Sequence, residues 1–145
     1  MKKILMLVVT ISLLYSCKAT NETNSVTGKT EKSSTELSRV WVLEELNGKK
    51  VMLSDFQKEL PRIEFNVTSK TFKGYGGCNI VEGNFISEKN QLHFPMVIPM
   101  TKYCSQTNKE SEFLAALKNV TQYTIVDNKL MLSGNSGHTL SFNGL

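Results

Sequence analysis

The sequence predicts an α+β domain that is mainly β: a curved antiparallel sheet or partial barrel of about eight short strands, with one packed helix. Three observations predict it. Short apolar/polar alternations separated by turn residues recur from Val40 to the C-terminus, and helical spacing is confined to Thr107–Val120. Between two of the alternating runs lies Gly74-Tyr75-Gly76-Gly77-Cys78-Asn79, a loop rich in glycine with a cysteine and an asparagine at its end. A meandering sheet of this size curls towards closure instead of leaving long edges, and the helix is expected to plug or cover one opening.

Val40–Leu46 reads as the first strand, and Asn47-Gly48 is a strong hairpin-turn signal that carries the pairing into Val51-Met52-Leu53. Ser54 is expected to cap a short helical turn that runs to Leu60, where Pro61 stops it. Arg62–Val67 alternates, with Ile63, Phe65 and Val67 on one face, and Thr71–Tyr75 pairs with it. After the glycine loop come Gly83–Ser87, a turn at Glu88–Asn90, and Gln91–Phe94. Pro95 to Ser105 reads as irregular because of Pro95 and Pro99. Thr107 and Glu110 have capping-box spacing, and Phe113, Ala116, Leu117 and Val120 form the apolar stripe of the helix. Tyr123–Val126 and Leu130–Leu132 make a hairpin about Asp127-Asn128, and Gly134–Gly137 turns into Thr139–Phe142.

Residues 1–16 read as a signal peptide. Lys2-Lys3 precede an apolar run of eleven residues, Ile4–Leu14, which is too short to span a bilayer. The run closes on Leu14-Tyr15-Ser16-Cys17, which resembles a bacterial lipobox, so Cys17 is expected to be cleaved before and acylated, palmitate included. More than one acyl chain is needed for stable anchoring. The alternative is an ordinary secretory signal that leaves Cys17 as a free thiol. Residues 17–38 are polar and cannot bury a core, so they read as a lipidated N-terminus and disordered tether, with the folded domain over 39–145.

Loss of Lys2 and Lys3 leaves 15 basic against 13 acidic residues, and no basic block remains to bind nucleic acid. With Cys17 lipidated, Cys78 and Cys104 are an even pair in an oxidising compartment and are expected to form a disulfide; two unbonded, buried thiols are the other reading.

No catalytic residue, metal or cofactor is expected. His93 and His138 lie on alternating strands opposite the apolar face, and disulfide-bonded cysteines offer no nucleophile. The Gly134–His138 stretch lacks the second glycine and the strand-to-helix turn of a serine elbow. No helix or lysine follows the glycine loop to make a phosphate cradle, and the Cys and His spacings match no metal motif. Asn79 is expected to be a buried structural residue that holds the loop through local backbone.

With Trp41, the loop Gly76-Gly77-Cys78-Asn79, Gly83, the Thr101…Cys104 segment before the helix, and Leu130/Leu132 followed by Leu140/Phe142, the chain from Val40 onward resembles the META/HslJ-like family. Its Thr101-Lys102-Tyr103-Cys104 run is one residue shorter than the family pattern and lacks its methionine. The resemblance implies a small envelope protein, often a lipoprotein, on a curved sheet with a packed helix. It also implies an association with heat shock and novobiocin resistance without enzymatic activity. The expected role is therefore a membrane-anchored, non-enzymatic envelope protein in stress tolerance or protein interaction. The alternative is a module that binds an acyl chain or other small apolar ligand between sheet and helix. Lys18 stands where an aspartate would signal inner-membrane retention, so the expected location is the outer membrane, facing the periplasm, with an envelope protein or apolar ligand as partner.

Overall fold

The computed structural model describes residues 35–100, 103–135, 137 and 139–145. Residues 1–16, read above as a signal peptide, and Cys17, Thr101 and His138 lie outside the described residues. The strands are β1 (Val40–Leu46), β2 (Lys49–Lys50), β3 (Arg62–Asn66), β4 (Thr71–Tyr75), β5 (Ile80–Glu88), β6 (Gln91–Pro99), β7 (Val120–Val126), β8 (Lys129–Gly134) and β9 (Thr139–Gly144), and the helix is α1 (Glu110–Lys118).

Among the described residues, eight of these strands form one closed antiparallel barrel. The order runs β1-β3-β4-β5-β6-β7-β8-β9, and β9 returns to β1 through the pairs Trp41↔Gly144 to Leu46↔Leu140. β2 is a two-residue stub hairpinned onto β1. The Asn47-Gly48 and Asp127-Asn128 turns have both residues at positive φ, the conformation that matches the twist of two-residue hairpins. Closure removes the free edges an open sheet of this length would leave.

The barrel is least regular between β6 and β7. A single register pair, Gln91↔Gln122, joins them, with Tyr123 N–H donating to Asn90 O at 2.8 Å. The chain between these strands carries α1, which packs against β6 and β9 and buries Phe113, Ala116 and Leu117 in the common core. Val120 is buried too, but as the first residue of β7 and not as part of the helix.

Inside, the alternation of β3 and β4 delivers Phe65 and Phe72, which meet Phe85 and Phe94 from β5 and β6. The Phe65–Phe85 and Phe72–Phe94 ring centroids are 5.1 and 5.2 Å apart, edge to face. Leu37 is fully buried, within the stretch read as tether, and its carbonyl accepts the Trp41 indole N–H at 3.0 Å.

Three local expectations are corrected. The strand after the first hairpin does not run over Val51–Leu53; pairing ends at Lys50. The helical turn is a 3-10 turn at Leu53–Asp55, held by Asp55 accepting the Met52 N–H at 2.9 Å, and is not capped by Ser54. The irregular stretch begins later than expected, because β6 runs on through Pro95 to Pro99. Pro95 falls at the register shift between Asn84 and Ile86, and Pro99 is the last paired residue, so neither missing N–H breaks the ladder with β5.

Candidate functional site

Four segments converge beyond the end of β4: the 52–57 turn, the glycine loop, Cys104 and the start of α1. The 52–57 turn meets Gly77 and Lys109, and the other three segments meet at Glu110, which is 6 % exposed. Its Oε1 accepts the backbone N–H of Asn79 at 2.6 Å and of Cys78 at 3.2 Å. Its Oε2 accepts the side-chain amide of Asn79 at 2.6 Å. A buried carboxylate with several N–H donors is strongly held, and charge-assisted bonds are about twice as strong as neutral ones.

The expected capping box is therefore not formed. The helix begins at Glu110 with Lys109 as its cap residue, Asn108 Oδ1 accepts the Glu110 N–H at 2.8 Å, and the glutamate side chain turns into the loop. Three donors buried beside it outcompete one backbone N–H at the helix end. Glu110 is the residue that sequence reasoning missed. The signal was present: Glu110 precedes Phe113 by three and Leu117 by seven, so it lies on the buried face of α1, level with a loop rich in N–H groups.

The glycines are required here by contact. A Cβ on Gly76 would lie 2.6 Å from Glu110 Oε1. Gly77 has φ +115°, and a Cβ there would lie 2.2 Å from Phe56 Cδ1. The Gly77 carbonyl accepts the Gln57 N–H at 3.0 Å and the Asn108 side-chain amide at 2.9 Å, joining the loop to its neighbours on both sides.

Cys78 and Cys104 form a disulfide with Cα atoms 5.9 Å apart and 26 residues of separation. On a chain-entropy account a loop of that length contributes about 3.5 kcal/mol. Asn79 is 4 % exposed, as expected of a buried structural residue, and its side chain reaches the sequence-distant Glu110 (2.6 Å) and Cys104 Sγ (3.0 Å). Cys104 Sγ also lies 3.3 Å from Glu110 Oε2; a disulfide has no S–H, so this is a contact and not a hydrogen bond. His93 is exposed on β6 across from Ile86.

Beside the loop, a groove of about 520 Å³ is lined by Lys58, Glu59, Arg62, Tyr75, Cys78 and Ile80 among others. Tyr75, buried at the end of β4, lies beneath the Arg62 guanidinium, which stands 5.9 Å from the ring centroid. Burial pushes its phenol pKa above 10.0, with the charges of Glu59 and Glu110 adding to the shift.

Asp55 links the turn to the helix start. Its Oδ1 pairs with Lys109 Nζ at 2.8 Å, and its carbonyl accepts the Lys109 N–H at 2.9 Å. The Lys109 hydrogen bond, then the Met52 N–H, hold the Asp55 carboxyl below its ordinary 3.8. A carboxyl depressed in the folded state stabilises above its unfolded pKa and loses that contribution as pH falls through the folded value. Asp55→Asn is expected to show a shallower loss of stability below about pH 4 than wild type. Urea midpoints measured from pH 6 to pH 2 check this, and parallel acid limbs would refute it.

A family model described as META domain matches residues 32–144. An NMR structure of a protein from Burkholderia xenovorans superposes with a TM-score of 0.61 at 17% identity, over 77% of this chain and 86% of that one. A second NMR structure gives 0.57 at 26% identity, over 79% and 92%. A crystal structure of a DUF4847 family protein from Bacteroides vulgatus ATCC 8482 gives 0.53 at 17%, over 74% and 92%. No curated protein matches the chain.

Proposed function

The chain belongs to the META-domain family, and from that premise we propose that it is an HslJ-like lipoprotein of the bacterial envelope. In this reading acylated Cys17 anchors it to the outer membrane facing the periplasm. It has no catalytic chemistry of its own and supports stress tolerance by engaging an envelope protein. The observation that carries this is the filled interior. Phe65, Phe72, Phe85 and Phe94 touch one another across the barrel and belong to one continuous buried cluster. A small barrel that encloses a ligand keeps room for it, whereas here side chains take that space, which favours recognition by the outer surface. Met96 and Ile98 stand exposed on β6, with Ile80 exposed on the neighbouring β5, and supply apolar surface for such a contact.

Cells lacking the protein and challenged with heat or novobiocin test the reading. Wild type is expected to restore tolerance, and Cys17→Ser and a normally folded Ile98→Glu are expected not to. Full rescue by Cys17→Ser would remove the anchor from the reading, and full rescue by Ile98→Glu would remove the surface. A co-purifying adduct of lipid mass in native mass spectrometry would replace protein interaction with the binding of an acyl chain.

A further inference from the structure

The Cys78 loop is held by two separate devices. One is the disulfide; the other is the set of N–H bonds from Cys78 and Asn79 to Glu110. Reduction removes the first and leaves the second, so the two sulfurs stay close to each other and to the carboxylate. Cys78, Cys104 and Glu110 offer one ligand atom each, all within 4.8 Å of one another.

The spacing suits a tetrahedral metal. With metal–sulfur and metal–oxygen bonds of about 2.3 and 2.0 Å, the sulfur–oxygen edge of the tetrahedron is roughly 3.5 Å. Cys104 Sγ and Glu110 Oε2 are already 3.3 Å apart. The loop N–H donors fix the direction of the carboxylate, which is the outer-shell support that metal-binding carboxylates need. Glu110 Oε2 accepts one N–H, from the Asn79 side chain, and so keeps a lone pair for the ion. Cys104 is half-buried, which leaves an approach for the ion and a fourth position for water.

We propose that Cys78 and Cys104, once reduced, form with Glu110 a site for a thiophilic divalent cation of the zinc class. Two thiolates with a carboxylate select such an ion over magnesium or calcium. The oxidised pair closes the site, so occupancy follows the thiol state of the compartment. A dithiol reductant opens it by exchange: its two thiols become a disulfide as the Cys78–Cys104 bond becomes two thiols. Metal binding then releases one proton from each cysteine.

Cobalt(II) and zinc titrations of the full-length chain carrying Cys17→Ser, in detergent, test this, because Cys78 and Cys104 are then its only thiols. After phosphine reduction, one equivalent of cobalt is expected to give thiolate-to-cobalt absorption in the near ultraviolet, displaced by zinc. The oxidised chain is expected to give none. Cys104→Ser and Glu110→Gln, read by zinc competition, are expected to weaken binding by about 10–100-fold or more. Zinc K-edge EXAFS on the reduced chain requires no further variant and is expected to show two sulfurs and an oxygen shell. A folded, reduced chain with no cobalt band, a zinc shell without sulfur, or undiminished affinity in folded Glu110→Gln would overturn the site. Unfolding on reduction would overturn its premise, that Glu110 holds the loop unaided.

Discussion

Glu110→Ala, with the disulfide intact, is expected to destabilise the domain by about 3–4 kcal/mol. The reason is what remains. The backbone N–H groups of Cys78 and Asn79 and the Asn79 side-chain amide lose their acceptor in a place where Asn79 is almost wholly buried. Each unsatisfied buried donor costs about 1–3 kcal/mol, and partial rehydration at the barrel rim keeps the sum below the maximum. Glu110→Gln is the sharper comparison, at about 2 kcal/mol. Glutamine keeps an oxygen for the two backbone donors but sets its own NH2 against the Asn79 amide. Urea unfolding measures both variants. A loss under about 1 kcal/mol for alanine would mean that the loop satisfies itself and that Glu110 is incidental.

The second large effect is expected at Trp41. Trp41→Ala is expected to cost about 3–5 kcal/mol, the range for emptying a buried aromatic site. Trp41 is fully buried on β1, and the same strand pairs with both β3 and β9. A cavity there therefore loosens the seam that closes the barrel. Trp41→Phe isolates a different contribution. It keeps most of the apolar area but leaves the Leu37 carbonyl without the indole N–H, for an expected loss of about 1–2 kcal/mol. Hydrogen exchange is the discriminating readout. Protection at residues 35–40 is expected to fall in Trp41→Phe while protection in β4 and β5 stays. A uniform drop across the barrel would show that Leu37 and its neighbours are not held separately by the indole.

The site was legible in part. Gly76, Gly77, Cys78 and Asn79 stood out by composition, and the pairing of Cys78 with Cys104 was expected from the even pair left once Cys17 is set aside. What was not legible was why those residues sit there. The partner of the loop is Glu110, 31 residues beyond Asn79, and a glutamate near a helix start ordinarily reads as a capping residue. Likewise, two prolines in nine residues read as the end of a strand, although β6 is paired mainly along one edge.

The sequence by itself determined what is local. Alternation set which side chains of β3 and β4 point inward, Asn47-Gly48 and Asp127-Asn128 set two hairpins, and the Phe113–Leu117 spacing set the helix face. Those signals act over two to four residues, where sterics and periodicity alone decide. Only the tertiary structure decided that β9 returns to close on β1, and that the Glu110 carboxylate meets the loop. Both depend on the register of strands far apart in the chain, which is fixed when the barrel buries its core and not by any one segment.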